Sequence, residues 1–209
     1  MITSKNCIIR LSRYKNALYR FKAMGLVKIF SDTLGETVGV TSSQVRKDFS
    51  LFGISGNKRG GYNLDDLIEK LQNILGKDRV QEVIVVGLGN IGTALINYGG
   101  FEKEGIRIVA GFDIDPSKCR KTGIIPVFPL KELDSFIKNK GIKMGIIAVP
   151  EIAAQEVLDI MISAGVKGVL NFAPIRLKSP VEMVINNVNL ELELENLIYF
   201  VNAGNKVKV

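Results

Sequence analysis

The chain has 209 residues, of which 46% are apolar, and its mean hydropathy is +0.20. This composition predicts one large domain or two small ones and excludes a disordered chain. No apolar run reaches the roughly 20 residues of a membrane helix, the first residues lack the apolar stretch of a signal peptide, and two cysteines are too few for a disulfide framework or a zinc site. We therefore expect a cytoplasmic protein with no membrane segment and no metal.

The positive charge is confined to the front of the chain. Residues 1–80 contain 14 Lys or Arg and 7 Asp or Glu, whereas residues 81–209 contain 14 of each class. Residues 1–30 carry seven cations and no acid. An excess of this kind indicates an anionic partner, most often nucleic acid or a membrane surface, although a merely solvated basic face is the alternative.

The first 78 residues predict a small DNA-binding domain. Apolar residues from Ile8 to Phe21 recur at helical spacing, and Ser31 can cap a second short helix. Thr41 fits a capping box that opens a third helix after a glycine turn. This arrangement, about residues 12–51, is typical of a helix-turn-helix, and an ordinary helical hairpin is the alternative. Four polar or basic side chains of the last helix are placed to reach base edges and phosphates: Ser43, Gln44, Arg46 and Lys47.

Residues 53–63 predict a basic wing. Four glycines surround Lys58 and Arg59 in this stretch, which indicates a β-hairpin lying along the DNA backbone or minor groove. A flexible surface loop is the alternative. An amphipathic helix over residues 64–75 closes the domain, and residues 76–78 form the junction.

Residues 79–187 predict a Rossmann domain. Strands are expected at 82–86, 107–113, 144–149 and 168–172, and helices at 90–98, 130–138 and 153–164, with helical residues also after Pro116. The sequence Gly87-Leu88-Gly89-Asn90-Ile91-Gly92 follows the first strand and opens a helix, which is the context that a dinucleotide-binding turn requires. Gly87 permits the tight turn, Gly89 admits the pyrophosphate, and Gly92 lets the helix and the strand pack closely.

Asp113 ends the second predicted strand and can accept hydrogen bonds from the adenosine ribose. Its charge favours NAD(H) over NADP(H), although Lys118, Arg120 and Lys121 are close enough in sequence to soften that choice. Asp115 is expected to cap the turn that begins at Pro116.

Turnover of the nucleotide is not indicated. The chain has no histidine, and no tyrosine is followed by lysine four places later, so a recognisable proton-transfer pair is missing. We therefore expect a nucleotide sensor and not an enzyme. The alternatives are a small NAD-dependent oxidoreductase with an incidental basic N-terminus and a winged-helix protein with a degenerate Rossmann domain.

The last segment predicts a strand followed by a helix, with residues 188–209 as a dimerisation helix. Leu190, Leu194, Leu197, Ile198 and Val201 match helical spacing, while Leu190, Leu192 and Leu194 also alternate as in a strand. The apolar face must be covered by its own domain or by a second subunit.

The whole pattern resembles the Rex family of bacterial redox-sensing transcriptional repressors. The matching segments are RLSRY (10–14), VRKDFSLFG (45–53), GYN (61–63), GLGNIG (87–92), AGFDIDPSK (110–118), AVP with AAQ (148–155) and GVLNFAP (168–174). The resemblance implies a homodimer with an N-terminal winged helix, a Rossmann domain and a C-terminal helix swapped onto the partner subunit. It also implies that NADH and NAD+ compete and that NADH releases operator DNA.

Residue roles follow from the same resemblance. Arg46 and Lys47 lie on the recognition helix and Lys58 in the wing. Tyr98 belongs to the switch near the nicotinamide, and Arg10 joins the winged helix to the Rossmann side. The resemblance places four residues at the edge of the sheet that meets the nicotinamide: Val149, Pro150, Asn171 and Phe172.

Two positions depart from the family pattern. The family has an aspartate before its last helix, where this chain has Asn189 between Val188 and Leu190. Asparagine can hydrogen-bond Tyr98 but cannot form a charged pair with Arg10. The two wing cations are also displaced by one place relative to the family order Gly-Lys-Arg-Gly-x-Gly-Tyr, which shifts the expected groove contact.

Overall fold

The computed structural model describes residues 4–57, 60–120 and 122–206. The chain divides into two compact units, residues 1–79 and 80–209, and each unit has its own apolar core. The division falls one residue after the glycine-led junction expected at residues 76–78.

The first unit is helical with one small sheet. Its core is formed by apolar side chains from all four helices, among which Tyr14 and Phe49 are fully buried and meet edge to face, with 5.5 Å between the ring centroids. Its elements are α1 (Lys5–Ala23), β1 (Lys28–Ile29), α2 (Ser31–Val38), α3 (Ser42–Ser50), β2 (Tyr62–Asn63) and α4 (Leu64–Ile74).

Local capping explains where these helices begin. The Ser4 hydroxyl accepts from the Cys7 amide and starts α1 three residues before the predicted position. Thr41 caps α3 as predicted, because its hydroxyl accepts from the Gln44 amide at 3.2 Å. The predicted cap at Ser31 is wrong, since Phe30 occupies the N-cap position of α2 without a side-chain hydrogen bond and Ser31 is already the first helical residue.

The second unit contains a parallel sheet with helices along the chain between its strands. Short 3-10 turns at Pro116–Lys118 and Leu130–Glu132 supplement its helices. Its other elements are β3 (Gln81–Val86), α5 (Asn90–Ile96), α6 (Gly100–Lys103), β4 (Ile106–Asp113), β5 (Val127–Pro129), α7 (Leu133–Lys140), β6 (Met144–Ile147), α8 (Glu151–Ala164), β7 (Gly168–Asn171), β8 (Val184–Asn187) and α9 (Leu190–Lys206).

The strand order confirms the predicted Rossmann architecture. The sheet runs β5-β4-β3-β6-β7-β8, and every neighbouring pair is parallel. This is the doubly wound order in which the chain reverses direction of travel between β3 and β6, and such a switch point leaves a crevice at the carboxyl ends of those strands.

Several element ends differ from the sequence-based expectation. The strand expected to reach residue 149 ends at Ile147, because Pro150 follows and serves as the N-cap of α8, which then begins at Glu151. The C-terminal segment resolves as strand β8 followed by helix α9, so the alternating leucines at 190–194 are helical.

Candidate functional site

A cavity of about 590 Å³ opens at the switch point of the sheet in the second unit. It lies where parallel α/β sheets bind their ligands, outside the carboxyl ends of the strands. Among the predicted nucleotide-binding residues, its lining includes Gly87, Gly89, Asn90, Ile91, Asp113, Val149, Pro150 and Phe172.

The turn at residues 87–92 has the geometry that the three glycines predict. Gly87 has φ +92°, and a Cβ there would lie 2.6 Å from the Ala148 carbonyl oxygen. A Cβ on Gly92 would lie 1.8 Å from the Gly87 carbonyl oxygen, so α5 packs against the turn with no room for a side chain. A Cβ on Gly89 would meet nothing within 4 Å. Gly89 therefore faces open space, where a ligand's phosphates can approach the backbone.

Asp113 is fixed at the wall of the cavity with only 6% of its surface exposed. Its Oδ2 accepts from the Leu88 amide at 2.7 Å and its Oδ1 from the Asp115 amide at 2.9 Å. Lys118 Nζ lies 3.2 Å from Oδ2. Burial alone would raise the pKa of this carboxyl. The hydrogen bonds from the two amides and the contact with the lysine together outweigh burial, so the pKa lies below the ordinary value of 3.8 and the group is ionised.

The acidic cap next to Asp113 is also as predicted. Asp115 Oδ1 accepts from the Ser117 amide at 2.9 Å and starts the turn at Pro116. Together with Lys118, these two aspartates are the ionisable residues among the described residues that line the cavity. All three lie on one side of it, in and after β4.

The opposite side of the cavity is apolar. Val149, Pro150 and Phe172 line it together with Ala148 and Pro174. Four of the predicted residues do not line the cavity: Leu88, Gly92, Tyr98 and Asn171. The Leu88 side chain is buried in the core, and its amide serves Asp113 instead.

Asn171 is fully buried and does not line the cavity. Its Nδ2 donates to the carbonyls of Ala173 and Ile175 and to Asn187 Oδ1, while its Oδ1 accepts from the Ala173 amide. The side chain therefore holds the loop that carries Phe172 and Pro174 against β7. Its expected contact with the nicotinamide stays a prediction, and the structure gives it a supporting position.

Tyr98 also lies outside this cavity. Its side chain is 61% exposed, packs edge to face on Phe101 at 5.0 Å between ring centroids, and borders a second cleft beside α6 and the start of β4. Its predicted role in the switch stays a prediction.

Three of the four predicted DNA-contacting residues on α3 are exposed. Ser43, Arg46 and Lys47 face outward from the helix, while Val45 and Phe49 are buried in the core as predicted. Gln44 behaves differently, because its Nε2 donates to Asp48 Oδ1 at 2.8 Å and the side chain is half-buried. The side-chain amide of Gln44 is thus engaged by Asp48 on the same helix, and its predicted contact with DNA stays a prediction.

Asp48 is the centre of a buried polar cluster that sequence reasoning missed. Its side chain is 1% exposed. Arg10 donates to it through Nε at 2.6 Å and Nη2 at 2.7 Å, and Tyr14 donates through its hydroxyl at 2.9 Å. Burial alone would raise the pKa of Asp48. The hydrogen bonds from these donors and from Gln44 together outweigh burial, so the pKa lies below its ordinary value. The cluster joins the recognition helix to α1.

This cluster gives Arg10 a partner within its own unit. The guanidinium engages both oxygens of Asp48, and 22% of the side chain is exposed. A part of the signal was present in the sequence, since RLSRY (10–14) and VRKDFS (45–50) hold the cluster's main members, but pairing across 38 residues is not encoded in local periodicity.

The wing is a closed turn at its base. Asn57 and Gly61 exchange backbone hydrogen bonds of 3.0 and 2.8 Å, and β2 then pairs antiparallel with β1. The two predicted wing contacts, Lys58 and Arg59, lie outside the described residues.

Asn189 precedes α9 and caps it. Its Oδ1 accepts from the Leu192 amide at 3.0 Å. The helix that follows leaves its apolar side chains between 50% and 70% exposed: Leu190, Leu192, Leu194, Leu197, Ile198, Tyr199, Phe200 and Val201. The proposed switch contact of Asn189 stays a prediction.

Within the described ranges, no cluster of three or more His, Cys, Asp or Glu side chains is arranged to hold a metal ion. In the same residues, no helix combines the length and the apolar character needed to cross a membrane.

Comparison with known proteins assigns both units. Residues 3–50 match the family model described as "Putative DNA-binding protein N-terminus", and residues 78–175 match the one described as "CoA binding domain". The redox-sensing transcriptional repressor Rex of Desulforamulus reducens is 42% identical over 193 residues, with 92% of each chain covered.

Solved structures of RSP, a Rex-family repressor, agree with this assignment. RSP in complex with β-NAD+ and operator DNA matches with a TM-score of 0.93 and 36% identity, covering 100% of this chain and 96% of the other. RSP in complex with β-NADH matches with a TM-score of 0.87 and 35% identity, covering 100% and 98%. With its Rossmann cavity, its helix-turn-helix and this likeness over nearly the full length, the chain belongs to the Rex family of redox-sensing transcriptional repressors.

Proposed function

We propose that the protein is a repressor that binds operator DNA as a homodimer and is released when NADH binds its Rossmann domains. Transcription of its target genes then follows the NADH/NAD+ ratio of the cytoplasm. The observation that carries the proposal is the presence, in one chain, of a cavity at the switch point of a Rossmann sheet and a basic helix-turn-helix, in a family whose solved member RSP has been seen with β-NADH and with β-NAD+ and operator DNA.

The nucleotide half of the proposal is supported by the lining of the cavity. Gly87 and Gly89 would hold the pyrophosphate at the start of α5, where backbone N–H groups favour an anion. Asp113 would accept a hydrogen bond from the adenosine ribose. A carboxylate offers about four lone-pair sites, and the three donors already present leave acceptor capacity for a ribose hydroxyl. The ionised carboxylate disfavours a 2′-phosphate, and Lys118 beside it reduces that penalty.

The sensing half is supported by the apolar end of the cavity. NADH carries a neutral, puckered nicotinamide, and NAD+ carries a cationic, flat ring. A wall formed by Val149, Pro150 and Phe172 favours the neutral ring, because burying a charge among apolar groups is costly. To shift a two-state dimer, NADH must bind the DNA-free arrangement more tightly than the DNA-bound one.

A role without turnover is supported by the same wall. Hydride transfer to a carbonyl usually needs a positioned acid or base. The ionisable residues among the described lining of the cavity stand at the ribose side, in and after β4, and the chain has no histidine. The rival function, an NAD-dependent oxidoreductase, requires a proton-transfer group at the apolar end.

The homodimer is supported by α9. Eight apolar side chains of this helix are at least half exposed within one chain, and so continuous an apolar surface marks an interaction site. We propose that a second copy covers it, with Tyr98 and Asn189 at the joint between subunits. Light scattering should give twice the mass of the chain.

One titration separates the candidate functions. NADH is added to an operator-bound sample while nucleotide binding and DNA release are recorded together. A repressor of this kind binds NADH at micromolar concentration and leaves the DNA. An oxidoreductase would consume NADH with a carbonyl substrate and show no sequence-selective DNA binding, and a degenerate Rossmann domain would bind no NADH.

A further inference from the structure

Arg46 on the recognition helix is held by two hydroxyl groups. Its Nη1 donates to Ser31 Oγ at 3.0 Å, and its Nη2 donates to Ser43 Oγ at 3.1 Å. Ser43 lies one turn earlier on α3, whereas Ser31 is the first residue of α2. The side chain expected to read the operator is thus fixed from a second helix.

The place of this contact is a cleft of about 540 Å³ in the first unit. Arg46 and Ser31 border it together with Asp32, and the base of the wing forms its other side at Gly56, Asn57 and Gly61. The wing base lies close against β1, because a Cβ on Gly61 would be 2.5 Å from the Ile29 carbonyl oxygen. Arg46 therefore borders a cleft formed by α2, α3 and the base of the wing.

The chemistry of the cleft favours a base edge over a phosphate. The Ser31 oxygen accepts from the arginine, so its hydroxyl proton is directed elsewhere and can be donated to a ligand. Asp32 places a carboxylate at the rim, which repels phosphate but can accept from an amino group such as cytosine N4. Arginine paired with guanine is the commonest specific contact in the major groove.

We propose that Ser31 is a positioning residue that presets Arg46 for a base edge, so that operator specificity depends on a side chain outside the recognition helix. The proposal rests on the proposed function only in requiring sequence-selective DNA binding. An arginine side chain carries about 2 kcal/mol of rotamer entropy, and restricting it beforehand reduces what remains to be lost when the base contact forms.

The test compares Ser31→Ala with Ser50→Ala. Ser50 lies on α3, and its hydroxyl donates to the Lys47 carbonyl at 2.9 Å, not to Arg46, so it controls for the loss of an exposed hydroxyl. The operator is a duplex selected from a randomised pool with the unaltered protein, and binding is measured by fluorescence anisotropy without nucleotide. Thermal unfolding verifies that each variant keeps its fold.

Ser31→Ala should weaken operator binding by roughly three- to tenfold, the effect of one hydrogen bond. Affinity for scrambled duplex and the slope of log K against log salt should stay unchanged, because no phosphate contact is lost. Ser31→Thr should retain affinity, and Ser31→Ala should have no further effect in an Arg46→Ala background.

Three results would overturn the proposal. One is equal operator affinity for Ser31→Ala and Ser50→Ala. Another is an equal loss on operator and scrambled DNA, or a salt slope lowered by about one, which would make Ser31 itself a phosphate contact. The third is additivity with Arg46→Ala. Since no nucleotide is present, the outcome is independent of whether NADH releases the DNA.

Discussion

Replacing Asp48 with asparagine tests whether the recognition helix is held in place by the buried cluster on α1. The change preserves the shape of the side chain but removes the charge, and it directs an amide group at Arg10, Tyr14 and Gln44, which are all donors to Asp48. Arg10 is then left without its counter-ion.

The magnitude follows from burial. Removing one partner of a buried ion pair costs about 3–5 kcal/mol. Because the Arg10 side chain keeps 22% exposure and Asp48 only 1%, we expect the lower end of that range. In a domain of 60–100 residues each kcal/mol lowers the Tm by about 4–8 °C, so the unfolding midpoint of residues 1–79 should fall by at least about 12 °C.

The assay records unfolding, operator binding and NADH binding for each variant. Asp48→Asn should lose operator binding and keep NADH affinity, since the nucleotide cavity belongs to the other unit. The matched control is Asp134→Asn, which breaks an exposed pair with Lys138 four residues later on α7, worth about 0.3–0.5 kcal/mol. An unfolding midpoint for Asp48→Asn within about 2 °C of that control would show that the buried cluster does not hold the recognition helix in place.

The same cluster predicts how stability depends on pH. The pKa of Asp48 is lower in the folded chain than its ordinary value of 3.8. The stabilising effect is therefore complete above the unfolded pKa and is lost as the pH falls through the folded pKa. Unfolding of the first unit should be insensitive to this group near neutral pH and should become easier below about pH 4; Asp48→Asn should remove that acid dependence.

Three further predictions concern the two sites. Arg46→Ala should abolish selective operator binding, leaving only the affinity shown for scrambled DNA, and should leave NADH affinity nearly unchanged; an equal loss of NADH affinity would indicate misfolding. Asp113→Ala should weaken NADH binding measured by fluorescence titration while DNA binding without nucleotide is retained; unchanged NADH affinity would remove Asp113 from the site. Gly89→Ala should lower NADH affinity at an unchanged Tm, because its Cβ enters only the cavity, whereas Gly92→Ala should lower both, by roughly 1–3 kcal/mol in stability. Equal Tm values for these two glycine variants would contradict the geometry of the turn.

Local chemistry was predicted well from the sequence. The glycine turn, the cap at Thr41 and the cap at Asp115 depend on residues within a few positions of each other, and all three are found as expected. The alternation of strands and helices was sufficient to predict the parallel sheet, because each crossover brings the next strand back to the same edge.

Features that depend on distant pairing were missed. Strand β1 has two residues and exists only because β2 pairs with it more than thirty positions later. The hydroxyl of Ser31 satisfies Arg46 and not its own helix, which is why the predicted cap is wrong. Gln44 turns inward because Asp48 offers a buried acceptor. The spacing of apolar residues along the helix does not indicate that a charged residue such as Asp48 is buried.

Asn189 shows a third limit. The sequence marks it as a departure from the family pattern, and the structure shows that its Oδ1 caps α9. An aspartate would cap the helix equally well, so the capping role does not explain the substitution.

The oxidation state of the bound nicotinamide is expected to control DNA binding. The most direct measurement holds total nucleotide constant, varies the NADH/NAD+ ratio, and follows the anisotropy of a labelled operator bound to the protein. We expect the DNA to be released as the ratio rises and bound again as it falls, with coenzyme A at the same concentration having no effect. An operator complex that responds to total nucleotide alone, or to neither nucleotide, would contradict this expectation.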